Sequence, residues 1–291
     1  MKKYIICLVI FVLSFSFEES SAKRLYQQWH GTSWAITQKQ GKGTVVFTYT
    51  ESPTFSYKDK TGKLTGVCVD IMQGFVKYVE QKYKVKLTIK YEHYPHDDFF
   101  TFYNLLKSSQ GGVFGLTNAT ITPERQKEVQ FSPPFLNNIS IIMTNQSVKS
   151  LSTVKNIAKD FAGMTAYTNK GTANERRLLQ IKKAYFPQMK IVYLPYNEDI
   201  LMQIAKDKKA FTCLDFNYYS DGKQKNKPFK RHPAGDDFSE ELGLVMPLKS
   251  DWGALMKEYF AANGGLRQSK PYKQMLTKHF GTEAANILLN K

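Results

Sequence analysis

The stretch TITPERQKEVQFSPPF (residues 120–135) is the most informative in the chain. Thr122 is a good helix N-cap, Pro123 suits the first helical position, and Glu124 suits the first turn. Arg125 then lies one turn in, beside free backbone N–H groups that attract anions. Pro133 and Pro134 forbid further helix. A helix this short is no core element, so its arginine needs a reason. The guanidinium fork matches a carboxylate through two parallel hydrogen bonds. The plainer alternative is an exposed arginine on a charged surface.

Working outward, VFGLTNAT (113–120) reads as a short buried strand. Thr117 and Thr120 bring hydroxyl donors to its carboxyl end, where open parallel sheets bind their ligands. Upstream, TVVFTYT (44–50) and VKLTIKYEHY (85–94) are rich in β-branched and aromatic residues and read as strands. Between them Val69, Met72, Phe75, Val76 and Val79 fall at helical spacing, with Asp70 as a cap candidate. FTFYNLLKSS (100–109) reads as a second helix. This alternation is that of a parallel α/β sheet.

The pattern recurs downstream. MTAYT (164–168), KIVYLP (190–195) and AFTCLDF (210–216) read as strands, and NERRLLQIKKAYF (174–186) and EDILMQIAKDKK (198–209) as helices. LGLVMP (242–247) reads as a closing strand. A helix ended by glycines and a further helix, PYKQMLTKHFG, follow it. Two α/β lobes are expected. Residues 1–22 read as a secretory leader, with Lys2 and Lys3 before an apolar run and Ser20-Ser21-Ala22 as the cleavage site. That run is short for a membrane span. Residues 23–42 read as an N-terminal extension without a clear period.

The formal charge is +16. Lysines spread along the whole chain favour anionic neighbours such as a membrane face. No recognition helix, zinc spacing or RNA-binding aromatic motif points to nucleic acid. Cys68 and Cys213 are expected to be buried free thiols. EHYPHDD (92–98) gathers histidines and carboxylates, but Pro95 interrupts any helical alignment, so a solvated loop is favoured over a metal site. No metal or cofactor is expected, and no Walker loop, GxSxG or cysteine–histidine nucleophile pattern is found.

Gly66-x-x-x-Asp70-Ile71, ATITPERQKEVQFSPPF, NKGTANE (169–175) and the closing segment LGLVMPLKSDWGALMKEYFAANGGLRQSKPYKQMLTKHFG occur in the order seen in one family. From about residue 43 to 282 the chain resembles the periplasmic amino-acid-binding proteins of ABC transporters, solute-binding protein family 3. The resemblance implies a two-lobed, type II periplasmic-binding-protein fold with a hinged inter-lobe cleft. Lobe 1 would hold residues 43–140 and 246–291, and lobe 2 residues 141–245.

By the same resemblance Arg125 matches the residue that holds a ligand α-carboxylate. Thr117 and Thr120 match positions that bind the ligand through backbone and hydroxyl groups. Thr172, which with Glu175 has capping-box spacing, opens a helix that gives a second carboxylate contact. Asp215 matches the partner of the α-ammonium. Ser52 stands where many members place a stacking aromatic, so Phe55, Tyr49, Phe99 or Phe100 is expected to take that part. Ala173 lacks the hydroxyl often found after Gly-Thr, which leaves a backbone contact there. The implied function is capture of a free amino acid by a monomeric, exported, periplasmic protein that delivers it to a membrane permease. The alternatives are a cyclohexadienyl or arogenate dehydratase-like enzyme on the same fold and a ligand-sensing module.

Overall fold

The structure, a computed structural model, describes residues 28–94 and 99–290. In chain order the first lobe contributes α1 (Trp34–Gln40), β1 (Lys42–Tyr49), the hairpin strands β2 (Tyr57–Lys58) and β3 (Leu64–Thr65), α2 (Val67–Tyr83) and β4 (Lys86–His93). It continues with α3 (Phe99–Ser108), β5 (Val113–Thr120), α4 (Pro123–Gln126), β6 (Val129–Phe131) and β7 (Leu136–Asn137). The second lobe runs through β8 (Ser140–Asn145), α5 (Ile157–Asp160), β9 (Thr165–Thr168), α6 (Ala173–Tyr185) and β10 (Lys190–Tyr193). It closes with α7 (Asn197–Lys206), β11 (Ala210–Asp215), α8 (Phe216–Gln224) and β12 (Phe229–Arg231). The chain then returns through β13 (Glu241–Pro247), α9 (Gly253–Ala261), α10 (Lys270–Phe280) and α11 (Thr282–Leu289).

Each lobe is built on its own sheet, in the orders β4-β1-β5-β13-β6 and β10-β9-β11-β8-β12. The strands read as parallel are parallel: β1 pairs with β4 and β5, and β9 with β10 and β11. Each sheet also carries an antiparallel strand next to a crossing segment. β13 runs against β5 and β8 against β11, so neither sheet is purely parallel. β8 was not expected from the sequence. Its SIIMTN is buried along its whole length and lacks the period-2 signal of a half-exposed strand. β13 starts at Glu241, where it pairs with β7 of the first sheet.

The predicted face of α2 is buried, from Val69 through Val79. Asp70 does not cap that helix. Gly66 is the N-cap at φ 133°, where a Cβ would stand 2.2 Å from the Phe55 carbonyl oxygen. Asp70 instead accepts from His279 Nε2 at 2.8 Å and Lys278 Nζ at 2.9 Å, tying α2 to the last turn of α10. Trp252, Phe75, Phe114 and Phe47 meet edge to face at the centre of the first lobe.

The described part of the extension, from residue 28, carries α1 and packs on the first lobe. The Asp251 carboxylate accepts from the Trp34 and Ala35 N–H groups at the start of α1, and Trp252 Nε1 donates to the Thr32 carbonyl. The leader and part of the 92–98 loop lie outside the described residues. Among the described residues no helix is long and apolar enough to cross a membrane, and no cluster of candidate metal ligands occurs. Cys68 and Cys213 are free and buried in different lobes, and burial pushes both thiols up.

Candidate functional site

A cleft of about 730 Å³ lies between the lobes, and five of the six expected site residues line it: Thr117, Thr120, Arg125, Thr172 and Asp215. The first three come from the end of β5 and from α4. As expected, Thr122 caps α4, its Oγ1 accepting from Arg125 N at 3.2 Å, with Pro123 in the first turn. Arg125 Nη1 donates to the Thr120 carbonyl at 3.0 Å. The guanidinium carbon also lies 4.8 Å from the Phe99 ring centre and 5.7 Å from that of Tyr103. Among the described residues no carboxylate stands within ion-pair distance of it. Burial lowers its pKa, as expected for a cation drawn out of water.

The second lobe presents the start of α6. Thr172 is its N-cap: Oγ1 accepts from Glu175 N at 3.1 Å and donates to the Asn169 carbonyl at 2.9 Å. The Glu175 carboxylate reaches past the cap to Gly171 N at 2.6 Å, one residue earlier than a standard capping box. The Ala173 and Asn174 N–H groups, in the first turn, have no partner inside the helix. Gly171 sits at φ 77°, and a Cβ there would lie 3.5 Å from the Phe100 ring of the opposite lobe.

Asp215, at the end of β11, is buried. Its Oδ1 accepts from Asn138 Nδ2 at 2.9 Å and its Oδ2 from Asn118 Nδ2, while Asn174 adds a third amide. Asn138 Nδ2 also donates to Glu240 Oε2 at 3.0 Å. Burial, and then the nearby Glu240 charge, push the Asp215 carboxyl up to about 7 despite the amides, which act the other way.

Phe55 is not part of this cleft. It is 1% exposed and packs on Phe135 and Phe280 in the first-lobe core. The reason lies in the β1–β2 loop, where Ser52 and Ser56 pair in a turn that carries the ring inward. Tyr49 is buried against His93. Phe99 and Phe100, the other two candidates, line the cleft, joined from the second lobe by Tyr193 and Tyr196. Sequence reading missed the three asparagines around Asp215. Asn118 carried a signal: asparagine is depleted in strands, yet it stands inside VFGLTNAT.

Two α/β lobes joined by two crossing segments, with a cation in one wall and a carboxylate in the other, define a type II periplasmic-binding-protein clamp. The chain belongs to the bacterial extracellular solute-binding proteins, family 3, whose profile matches residues 44–282. A search of curated proteins finds no sequence match.

Among solved structures, an ancestral arginine-binding protein bound to arginine is similar with a TM-score of 0.63 at 21% identity, covering 82% of this chain and 98% of that one. A mutant of ArgBP from T. maritima gives 0.65 at 19% identity, covering 85% and 99%. The arginine-, lysine-, histidine-binding protein ArtJ from Geobacillus stearothermophilus gives 0.62 at 20%, covering 82% and 96%. At these identities the likeness establishes the fold.

Proposed function

We propose that the protein captures a free amino acid, or a similar small zwitterion, by closing its lobes and hands it to the membrane permease of an ABC-type uptake system. One observation carries this reading: Arg125 and Asp215, of opposite charge when ionised, line one cleft from opposite lobes. Arg125 would hold the ligand carboxylate together with the Thr120 backbone and the N–H groups that open α6. Asp215 would hold the ammonium, with Thr117 beside it. Phe100 and Tyr193 are exposed aromatics on facing walls and would flank the side chain. Only in the closed form are both ends of a zwitterion paired, so binding favours closure.

The protein would act in the periplasm after removal of residues 1–22, as a monomer and without catalysis of its own. Asp215 is read as the binding group for the ammonium, its two oxygens each accepting from an asparagine amide. The similar structures named for arginine, lysine and histidine binding fit an amino-acid ligand.

Calorimetric titration of ligand-stripped protein with the twenty amino acids, beside Arg125→Ala, tests the reading. One or a few should bind, and the variant should lose them. Silence across the panel from folded protein would overturn it, and turnover of prephenate or arogenate would favour the enzyme.

A further inference from the structure

Lobes that meet only through their ligand separate when it leaves. Here bonds run directly from protein to protein across the cleft floor. Asn118, on β5 of the first sheet, donates Nδ2 to Asp215 Oδ2, on β11 of the second. Its other amide atom, Oδ1, accepts from Ser52 Oγ at 3.1 Å, so the amide is fixed at both ends. Close by, Asn217 at the start of α8 donates Nδ2 to the Pro53 carbonyl at 2.9 Å and approaches Ser52 Oγ at 3.5 Å. Asn118, Ser52 and Pro53 belong to the first lobe, and Asp215 and Asn217 to the second.

The tie is anchored at the hinge. Asp215 Oδ1 accepts from Asn138, whose Nδ2 is shared with Glu240. Asn138 and Glu240 lie on the two crossing segments, which are themselves joined by a 2.9 Å bond from Asn138 N to the Glu240 carbonyl. A polar chain therefore runs from Ser52 through Asn118 and Asp215 to both crossings.

We propose that Asn118 is a latch and a positioning residue for capture. It holds part of the ligand-free population closed by tying the first lobe to Asp215, and the incoming ammonium takes over the Asp215 oxygen that it holds. The exchange half of this rests on the ammonium role proposed for Asp215, whereas the latch half does not.

With Asp215 ionised, a hydrogen bond to its carboxylate shifts a two-state equilibrium by about tenfold to a hundredfold. A closed fraction of about 1% would rise to between about 10% and 50%. Capture then pays a smaller closing penalty, and the ligand replaces a bond instead of making a wholly new one.

Distance measurement between nitroxide labels at Lys77→Cys and Lys183→Cys, both exposed and in different lobes, tests the latch. Cys68 and Cys213 are buried, so they should not take up label. Ligand-stripped wild-type protein should show a short component, that of the lobe arrangement in which Asn118 bonds Asp215. In Asn118→Ala this component should fall about tenfold or more. Asn118→Ser serves the same purpose if alanine impairs folding.

A single long distance in the stripped wild-type protein overturns the proposal by itself. So does an unchanged distribution in the variant. The measurement uses no ligand, so a failed amino-acid panel would overturn the function proposed above and leave the latch standing.

Discussion

The Arg125 guanidinium rests 4.8 Å from the centre of the Phe99 ring, and its one described side-chain hydrogen bond goes to the Thr120 carbonyl. Ring and carbonyl restrain the fork before any ligand arrives, which lowers the entropy cost of binding a carboxylate. Replacing Arg125 by alanine should weaken amino-acid binding by about 10²- to 10⁴-fold, the loss expected when one partner of a buried ion pair is removed. Arg125→Lys should recover only part of this, since an ammonium cannot make the paired contact. Titration calorimetry gives the ratios, and a variant that binds like the wild type would remove Arg125 from the site.

Phe55 and Phe100 should separate stability from binding. Phe55→Ala empties a place in the first-lobe core and should cost about 3–5 kcal/mol in denaturant unfolding. Any affinity it retains should be close to normal. Phe100 is 60% exposed on the cleft wall, so its alanine variant should change stability by less than about 0.5 kcal/mol. Its ligand affinity should fall. The opposite pattern would put Phe55 back in the site.

The contrast shows what was legible in the sequence. Arg125 could be read because local rules, a threonine cap, a proline and a short helix, fix where it sits. α2 could be read because its apolar residues fall at helical spacing, and β1 and β5 because short apolar, β-branched or aromatic runs mark them as strands. Phe55 could not, because the inward turn of the β1–β2 loop depends on backbone pairing between Ser52 and Ser56. The same holds for β8, whose antiparallel place is set by the crossing from β7. Asn138 and Asn174 were hidden for another reason: they meet Asp215 only once three distant segments converge.

The start of α6 carries a built-in competition. Glu175 accepts from Gly171 N, placing a carboxylate at the helix end proposed for the ligand's own carboxylate. Glu175→Gln should cost about 0.3–1 kcal/mol of stability, since the helix end loses a favourable charge. Affinity should rise severalfold as repulsion is relieved. Thr172→Ala removes the cap acceptor and should cost about 1 kcal/mol without that gain. Thermal unfolding and calorimetry on the two variants distinguish them; weaker binding by Glu175→Gln would show that the carboxylate lies elsewhere.

Asp215 should make both stability and binding depend on pH near neutrality. Its carboxyl is pushed up to about 7 from the ordinary 3.8, first by burial and then by Glu240, with Arg125 the opposing charge on the far wall. Between those two values the folded protein holds a proton that the unfolded chain has released. Stability therefore falls as pH rises through this window and levels off above it. Asp215→Asn carries no such group, so its melting temperature relative to wild type should climb from pH 4 to pH 8.

Ligand binding runs the other way. An ammonium needs the ionised carboxylate, so affinity should tighten from pH 5.5 to pH 7.5. Below pH 7 capture should release up to one proton, seen as a calorimetric enthalpy that varies with the buffer's ionisation heat. Affinity that is flat across this range, with no proton released, would mean that the ammonium is held by something other than Asp215.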